Sequence, residues 1–311
     1  MTKPKRAKAR RKPEQSKPKP KQAKARYVAL IEHIFHSKFS DQTNIVRFDR
    51  TELVAAAEIL KIRLPKNLGD VMYSFRYRAA LPLSISSAAP TGYVWVIRPA
   101  GRGRYAMMPI PDLPITPTVG LEITKIADST PGIVAKYSLN DEQALLAKVR
   151  YNRLVDLFTG VVCYSLQNHL RTTVADMGQV ETDEIYIGVD RFGAHYVFPV
   201  QAKGGSDRLN IVQIEQDLAL CAQKFPGLNC TALAAQFMTN DSNGAVIALF
   251  GFQNREGGAT RVLERHYRLV SPEAITRDDL ANYAQTIPGA LEVLRGPNPS
   301  ISKSSADEDS V

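Results

Sequence analysis

Two runs rich in β-branched and aromatic residues, 181–189 and 196–203, are joined by a turn at Asp190-Arg191-Phe192-Gly193, and that arrangement predicts an antiparallel hairpin. On both sides of it the apolar period changes to that of a helix. Upstream, a helical segment is predicted over 140–174, with Asn140 as its cap and Gln143 at the third helical position. Leu145, Val149, Leu154, Leu157 and Phe158 give it a buried face, and Gly160 is a place for it to break or bend. Downstream, a helix over 209–225 has Ile211, Ile214, Leu218 and Phe225 on a packed side and Val212, Glu215 and Ala219 on the other. Further strands at 231–238, 245–252 and 262–269 extend the sheet. The expected class is α/β, a mixed sheet flanked by helices, and no internal repeat is found.

A separate module is expected before it. Residues 27–39 carry Val28, Leu30, Ile31, Ile34 and Phe35 at helical spacing, and Asp49 or Thr51 can cap a second helix that buries Leu53, Val54, Ala57 and Leu60. A third helix starts at Pro65 and presents Leu68, Val71, Met72 and Phe75 on one face. Tyr93 to Ile97 and Tyr105 to Ile110 then form a hairpin around Ala100-Gly101-Arg102-Gly103. Three helices followed by a hairpin is the order of a winged helix, whose third helix enters the major groove while the wing touches the backbone. Pro109, Pro111, Pro114 and Pro117 crowd the span after it, which marks a linker over 114–139 leading into a second domain at 140–295.

Charge is distributed accordingly. The chain has 311 residues and a net charge of +9, but twelve Lys or Arg against one acid, Glu14, put residues 1–26 at +11. The rest, with 28 basic and 30 acidic side chains, is −2. The basic segment is too polar to offset its ordering entropy, so disorder is expected there, as it is in the Pro-, Ser- and acid-containing stretch 296–311. Within the body, 61–104 holds Lys61, Arg63, Lys66, Arg76, Arg78, Arg98, Arg102 and Arg104 against one acid, Asp70. Such a stripe is the footprint of a phosphate backbone, and Lys66, Asn67, Arg76 and Arg78 on the third helix with Arg98, Arg102 and Arg104 at the wing are the expected contacts to double-stranded DNA. A solvated basic face, or a helical domain that pairs with another protein, gives the same pattern.

No apolar run is long enough to span a bilayer and no secretory leader is visible, so a cytoplasmic location is expected. Cys163, Cys221 and Cys230 have neither disulfide-framework density nor zinc-ligand spacing.

The chemistry-bearing stretch is Val180-Glu181-Thr182-Asp183-Glu184 on one strand and Val200-Gln201-Ala202-Lys203-Gly204 on its partner. Strand alternation puts Glu181 and Asp183 on one face and Gln201 and Lys203 on one face, so the hairpin can bring all four together. Carboxylates that hold Mg²⁺ and a lysine beside them are what phosphodiester hydrolysis needs. Hard oxygen ligands suit magnesium, and His33, His36, His169, His195 and His266 show no paired zinc motif.

Over about 140–252 these residues resemble the PD-(D/E)xK nuclease superfamily, which includes type II restriction endonucleases and Holliday-junction resolvases. The resemblance implies a restriction-endonuclease-like core of helix, sheet and helix. In it Asp183 is the first metal-binding acid, Gln201-Ala202-Lys203 the triplet and Lys203 the catalytic lysine. The implied metal set is Asp183, Glu181, Gln201 and the Ala202 main chain. Glu181 resembles an extra acid two residues earlier, and Asp156 is the nearest candidate for an acid from the preceding helix. Gln201 departs from the family, which usually has Asp or Glu there; Glu181 or Glu184 could compensate. Glu184 points to the other face and is expected to be solvent-exposed, Tyr186 and Tyr196 to pack, and Gln213 and Gln216 either to touch the site or to be solvated.

The expected activity is thus Mg²⁺-dependent endonuclease cleavage of duplex DNA, of restriction type. A DNA-binding protein with a decayed nuclease core and a protein-interaction module are the alternatives. Duplex cutting commonly uses two active sites, which is compatible with a homodimer.

Overall fold

The computed structural model describes residues 20–40, 42, 44–65, 68–69, 71–72, 75, 81–112, 115–138, 142–175, 177–204, 209–241, 244–256 and 258–285. Helix α1 (Pro20–Lys38) begins inside the segment expected to be tail. It leads to a short strand, β1 (Val46–Asp49), which sequence periodicity misses because four residues are too few to show alternation. Asp49 then caps α2 (Arg50–Ile59) through a complete capping box with Glu52, which satisfies orphan amides of the first turn. Gly69, Val71, Met72 and Phe75 are helical, and the last three are buried as the spacing predicts. Lys66, Asn67, Arg76 and Arg78, and the expected cap Asn140, lie outside the described residues.

A one-turn helix, α3 (Leu83–Ser86), precedes the hairpin of β2 (Tyr93–Pro99) and β3 (Arg104–Pro111). With β1 these form an antiparallel sheet of order β1-β3-β2. Phe35, Phe48, Trp95, Ile97 and Met107 are among the buried residues of a hydrophobic cluster confined to this part of the chain.

The second part is built on a mixed sheet of eight strands in the order β4-β11-β10-β9-β7-β6-β5, with β8 beside β7. Its first strand, β4 (Ile123–Ala127), runs parallel to the last, β11 (Gly258–Val270). Then come the short α4 (Gly132–Tyr137), α5 (Glu142–Tyr151) and α6 (Leu154–Thr159). The helical segment expected to run to 174 therefore ends at Thr159. Arg153 and Gly160 both adopt left-handed backbone (φ 49° and 67°), which a continuous helix does not allow. The next residues, Val162-Cys163-Tyr164-Ser165-Leu166, are rich in strand formers and open the edge strand β5 (Val162–Val174).

β5, β6 (Gly178–Val189) and β7 (His195–Lys203) form an antiparallel meander. The β6–β7 turn is held by Asp190, whose Oδ1 accepts from the amides of Phe192 (2.8 Å) and Ala194 (2.9 Å). Helix α7 (Ile211–Lys224), capped by Asn210, crosses over to the two-residue β8 (Asn229–Cys230) and to β9 (Ala232–Asp241), both parallel to β7. β10 (Gly244–Arg255) and β11 complete the sheet antiparallel, and α8 (Arg277–Gln285) closes the described chain.

Leu145, Val149, Leu154 and Phe158 of α5 and α6 cover one face of the sheet, while Ile214, Leu218, Leu220 and Cys221 of α7 cover the other. The span 114–139 expected to be a linker is not one throughout: Ile115 is fixed by a bridge to Leu209, and past the last proline of the cluster, Pro117, the chain forms β4, which pairs with β11, and then α4. Among the described residues no helix is long and apolar enough to cross a membrane.

Candidate functional site

The site forms where β6 leaves β7. The β6–β7 register runs from Val189↔His195 to Glu184↔Val200 and stops. At that point the alternation of β6 breaks. Val180 belongs to the cluster under α7 and Thr182 lies on that same side, against Gln201, whereas Glu184, two residues on, turns to Arg150 of α5. A regular strand would keep all three on one face. The adjacent β5 residue, His169, has φ 53°, and no β5–β6 pair is made at Asp183. Freed from the ladder, the Asp183 carboxylate takes the place of a main-chain acceptor: its Oδ2 accepts from the Ala202 amide at 2.8 Å.

Lys203 ends β7 with only 8% of its surface exposed. Its ammonium donates to Glu142 Oε1, in the first turn of α5, at 2.8 Å. The helix acid that reaches Lys203 is thus Glu142, and Asp156 lies elsewhere. Asp156 is instead paired with Arg153 and accepts from the Cys163 amide at 3.0 Å, where it caps the start of β5. Burial pushes the Asp183 pKa above the usual carboxylate range; the Ala202 amide and Lys203 counter this, and Glu142 and Glu181 add to it.

Gln201 is 1% exposed and lies on the α7 side. Its amide nitrogen donates to Asp217 Oδ2 (2.9 Å), the Glu181 carbonyl (3.2 Å) and Thr182 Oγ1 (3.4 Å), and its Oε1 accepts from Gln213 Nε2 at 3.3 Å. Asp217 is fully buried, which pushes its pKa up to about 8. Gln213 and Gln216 are buried too, so the solvated alternative for them is excluded.

Two expected positions differ. The Glu181 carboxylate pairs with Arg171 (2.8 Å) and His169 (3.0 Å) on β5, so this residue offers the triplet its carbonyl, not its side chain. Glu184 does point to the opposite face, but it is 0% exposed, held by Arg150 Nε (2.9 Å), Arg150 Nη2 (3.0 Å) and Ser165 Oγ (2.6 Å). The sheet is covered there by α5, which the sequence pattern placed correctly but whose reach over β6 it did not convey. Tyr186 and Tyr196 pack as expected.

Compared with protein-family models, with curated proteins and with solved structures, the chain matches none.

The side-chain oxygens at this end of the sheet are hard donors: the carboxylates of Asp183 and Glu142 on either side of the Ala202–Lys203 main chain and side chain, and the Gln201 amide oxygen on the α7 side. Among the described residues no group of three or more His, Cys, Asp or Glu is placed to enclose a metal. One or two carboxylates with amide and carbonyl oxygens suit a cation that keeps most of its waters, as Mg²⁺ does, and not zinc. Cys163 is chemically quiet, since burial pushes its thiol up to about 12.

Of the expected DNA contacts, Arg102 and Arg104 are exposed at the β2–β3 turn. Arg98 is not at the wing's surface. It pairs with the largely buried Glu215 of α7 and donates to Met108 Sδ at 3.2 Å, and so fastens β2 to the second part of the chain. The same hairpin brings the Gly101 carbonyl to the start of β6, where a Cβ on Gly178 would lie 3.7 Å from it.

Proposed function

We propose that the chain is a Mg²⁺-dependent endonuclease of double-stranded DNA with a PD-(D/E)xK-type core and a winged-helix-like DNA-binding module. One observation carries the reading: Asp183 binds the main chain of the Gln201-Ala202-Lys203 triplet while Lys203 is held by Glu142. A strand acid, the triplet and a helix acid thereby meet at one end of the sheet. The helix, meander and helix around them agree with the core that the resemblance implies, and the order β1-β3-β2 behind α1 and α2 agrees with a winged helix.

In this reading Asp183 and the Gln201 oxygen hold the ion, with Glu142 beside them. Mg²⁺, when bound, polarises the phosphate and lowers the pKa of a coordinated water. Lys203 places a positive charge where charge develops on the phosphate, and Glu142 fixes its ammonium until substrate competes for it. The exposed Arg102 and Arg104 touch backbone phosphates. Because the wing turn lies against Gly178, and five strand residues span about 17 Å, DNA gripped there reaches the site without a large excursion.

The non-cutting alternative has one observation in its favour, the near-complete burial of Gln201. Supercoiled plasmid incubated with the purified chain and Mg²⁺ decides. Lys203→Ala and Asp183→Ala are each expected to abolish nicking while gel-shift binding persists. Intact binding with no nicking by the parent chain supports the non-cutting reading, and full nicking by either variant refutes the site.

A further inference from the structure

The surroundings of residue 201 demand an amide. Three oxygen acceptors converge on its nitrogen: Asp217 Oδ2, the Glu181 carbonyl and Thr182 Oγ1. A glutamate there has no hydrogen to offer the Glu181 carbonyl and would face Asp217 across at most one shared proton, and buried oxygens set face to face with too few protons between them are strongly unfavourable. A glutamine satisfies both with its two N–H groups, and this fixes which way the amide lies. Its Oε1 then faces away from the acceptors and accepts from Gln213, and an sp² oxygen with one donor has capacity for a second partner. Asp217 contributes most to this selection. It is the shortest of the three contacts, it is fully buried, and its Oδ1 has no hydrogen-bond partner.

We propose that Gln201 is not a degraded acid but an oriented neutral ligand, and that Asp217 is the positioning residue that orients it. The ligand role rests on the nuclease reading; the pairing does not. The two residues are therefore coupled as a pair: a carboxylate at 201 is better tolerated if an amide stands at 217 to donate to it, although the Glu181 carbonyl then loses its donor.

The test is a cycle of Gln201→Glu, Asp217→Asn and the double variant in the full chain, with thermal midpoint and Mn²⁺ binding (free-ion electron paramagnetic resonance) as readouts. Gln201→Glu is expected to lower the midpoint and the double variant to recover part of that loss. Asp217→Asn is expected to weaken Mn²⁺ about 10-fold or more, the usual effect of removing a group that orients a ligand, and the double variant to regain it. If Gln201→Glu does not fold, a folded double variant supports the pair and an unfolded one overturns it. A double variant no more stable than Gln201→Glu also overturns it. A parent chain that neither binds Mn²⁺ nor nicks DNA sinks the nuclease reading, and the ligand role with it, while the midpoints still judge the pairing.

Discussion

Arg150→Ala is a severe perturbation of this fold despite removing a side chain that is 36% exposed. Its partner Glu184 is 0% exposed and receives two of its hydrogen bonds from the guanidinium, at 2.9 and 3.0 Å. Breaking a buried pair by removing one member costs about 3–5 kcal/mol because the other charge stays behind. Water can reach the place Arg150 vacates, and the Ser165 hydroxyl still donates, so the cost here is about 2–3 kcal/mol. For a chain of this size that lowers the thermal midpoint by roughly 5–10 °C, read by circular dichroism or dye fluorescence. Adding Glu184→Gln removes the stranded charge and should return part of the loss. Arg153→Ala is the control, since that arginine is 62% exposed and its pairing with Asp156 should leave the midpoint unchanged. A midpoint for Arg150→Ala within about 2 °C of the parent, under 1 kcal/mol for this size, refutes the reasoning. So does a double variant less stable than the single.

Two further outcomes are expected. Arg102→Ala should flatten the dependence of DNA affinity on salt by about one phosphate contact, measured by fluorescence anisotropy at several salt concentrations, whereas Arg98→Ala should leave the slope unchanged and lower the thermal midpoint, because Arg98 holds Glu215. Asp217 should make the fold less stable as pH rises: its pKa of about 8, raised by burial from the ordinary 3.8, means the native state keeps a proton that the unfolded chain releases across that window. Stability from this group is complete below pH 3.8 and is lost as pH climbs to about 8, so the midpoint should fall between pH 6 and 8 and Asp217→Asn should fall less. Equal slopes for parent and variant would discard the assignment.

How far the sequence reaches can be traced residue by residue. The hairpin of β6 and β7, the Asp49 cap and the buried stripe Val71, Met72 and Phe75 were legible because each rests on local chemistry: period, turn residues, capping oxygens. The strand character of 162–174 was obscured by the apolar spacing of the helix before it, although Gly160 marked the break. Asp183 and Lys203 were legible as types. Their geometry was not, because it depends on a break in alternation at Asp183 that no pattern on β6 announces. Glu142 was illegible for a different reason: a first-turn glutamate is favoured at any helix start, so its role shows only once α5 lies against the end of β7. Asp217 carries a fainter signal. An acid at a helix position two removed from Glu215, between apolar Ile214 and Leu218, must be either solvated or held by a buried donor, and Gln201 is the one amide in the facing strand β7.

That helix spacing also explains how the two parts of the chain meet. At 3.6 residues per turn, residues four apart share a face and residues two apart point about 200° from each other. Gln213 and Asp217 therefore project together, and both touch Gln201. Glu215, between them, projects the other way and holds Arg98 of β2. One turn of α7 is thus clamped on both sides, to the triplet by amide and carboxyl hydrogen bonds and to the basic hairpin by an ion pair. Any force on the hairpin that disturbs the Arg98–Glu215 pair acts on the turn that orients Gln201. Severing that pair, for example with Glu215→Gln, should therefore change metal binding at the site even though residue 215 touches none of its oxygens, whereas a purely local role for Glu215 would change thermal stability and nothing else.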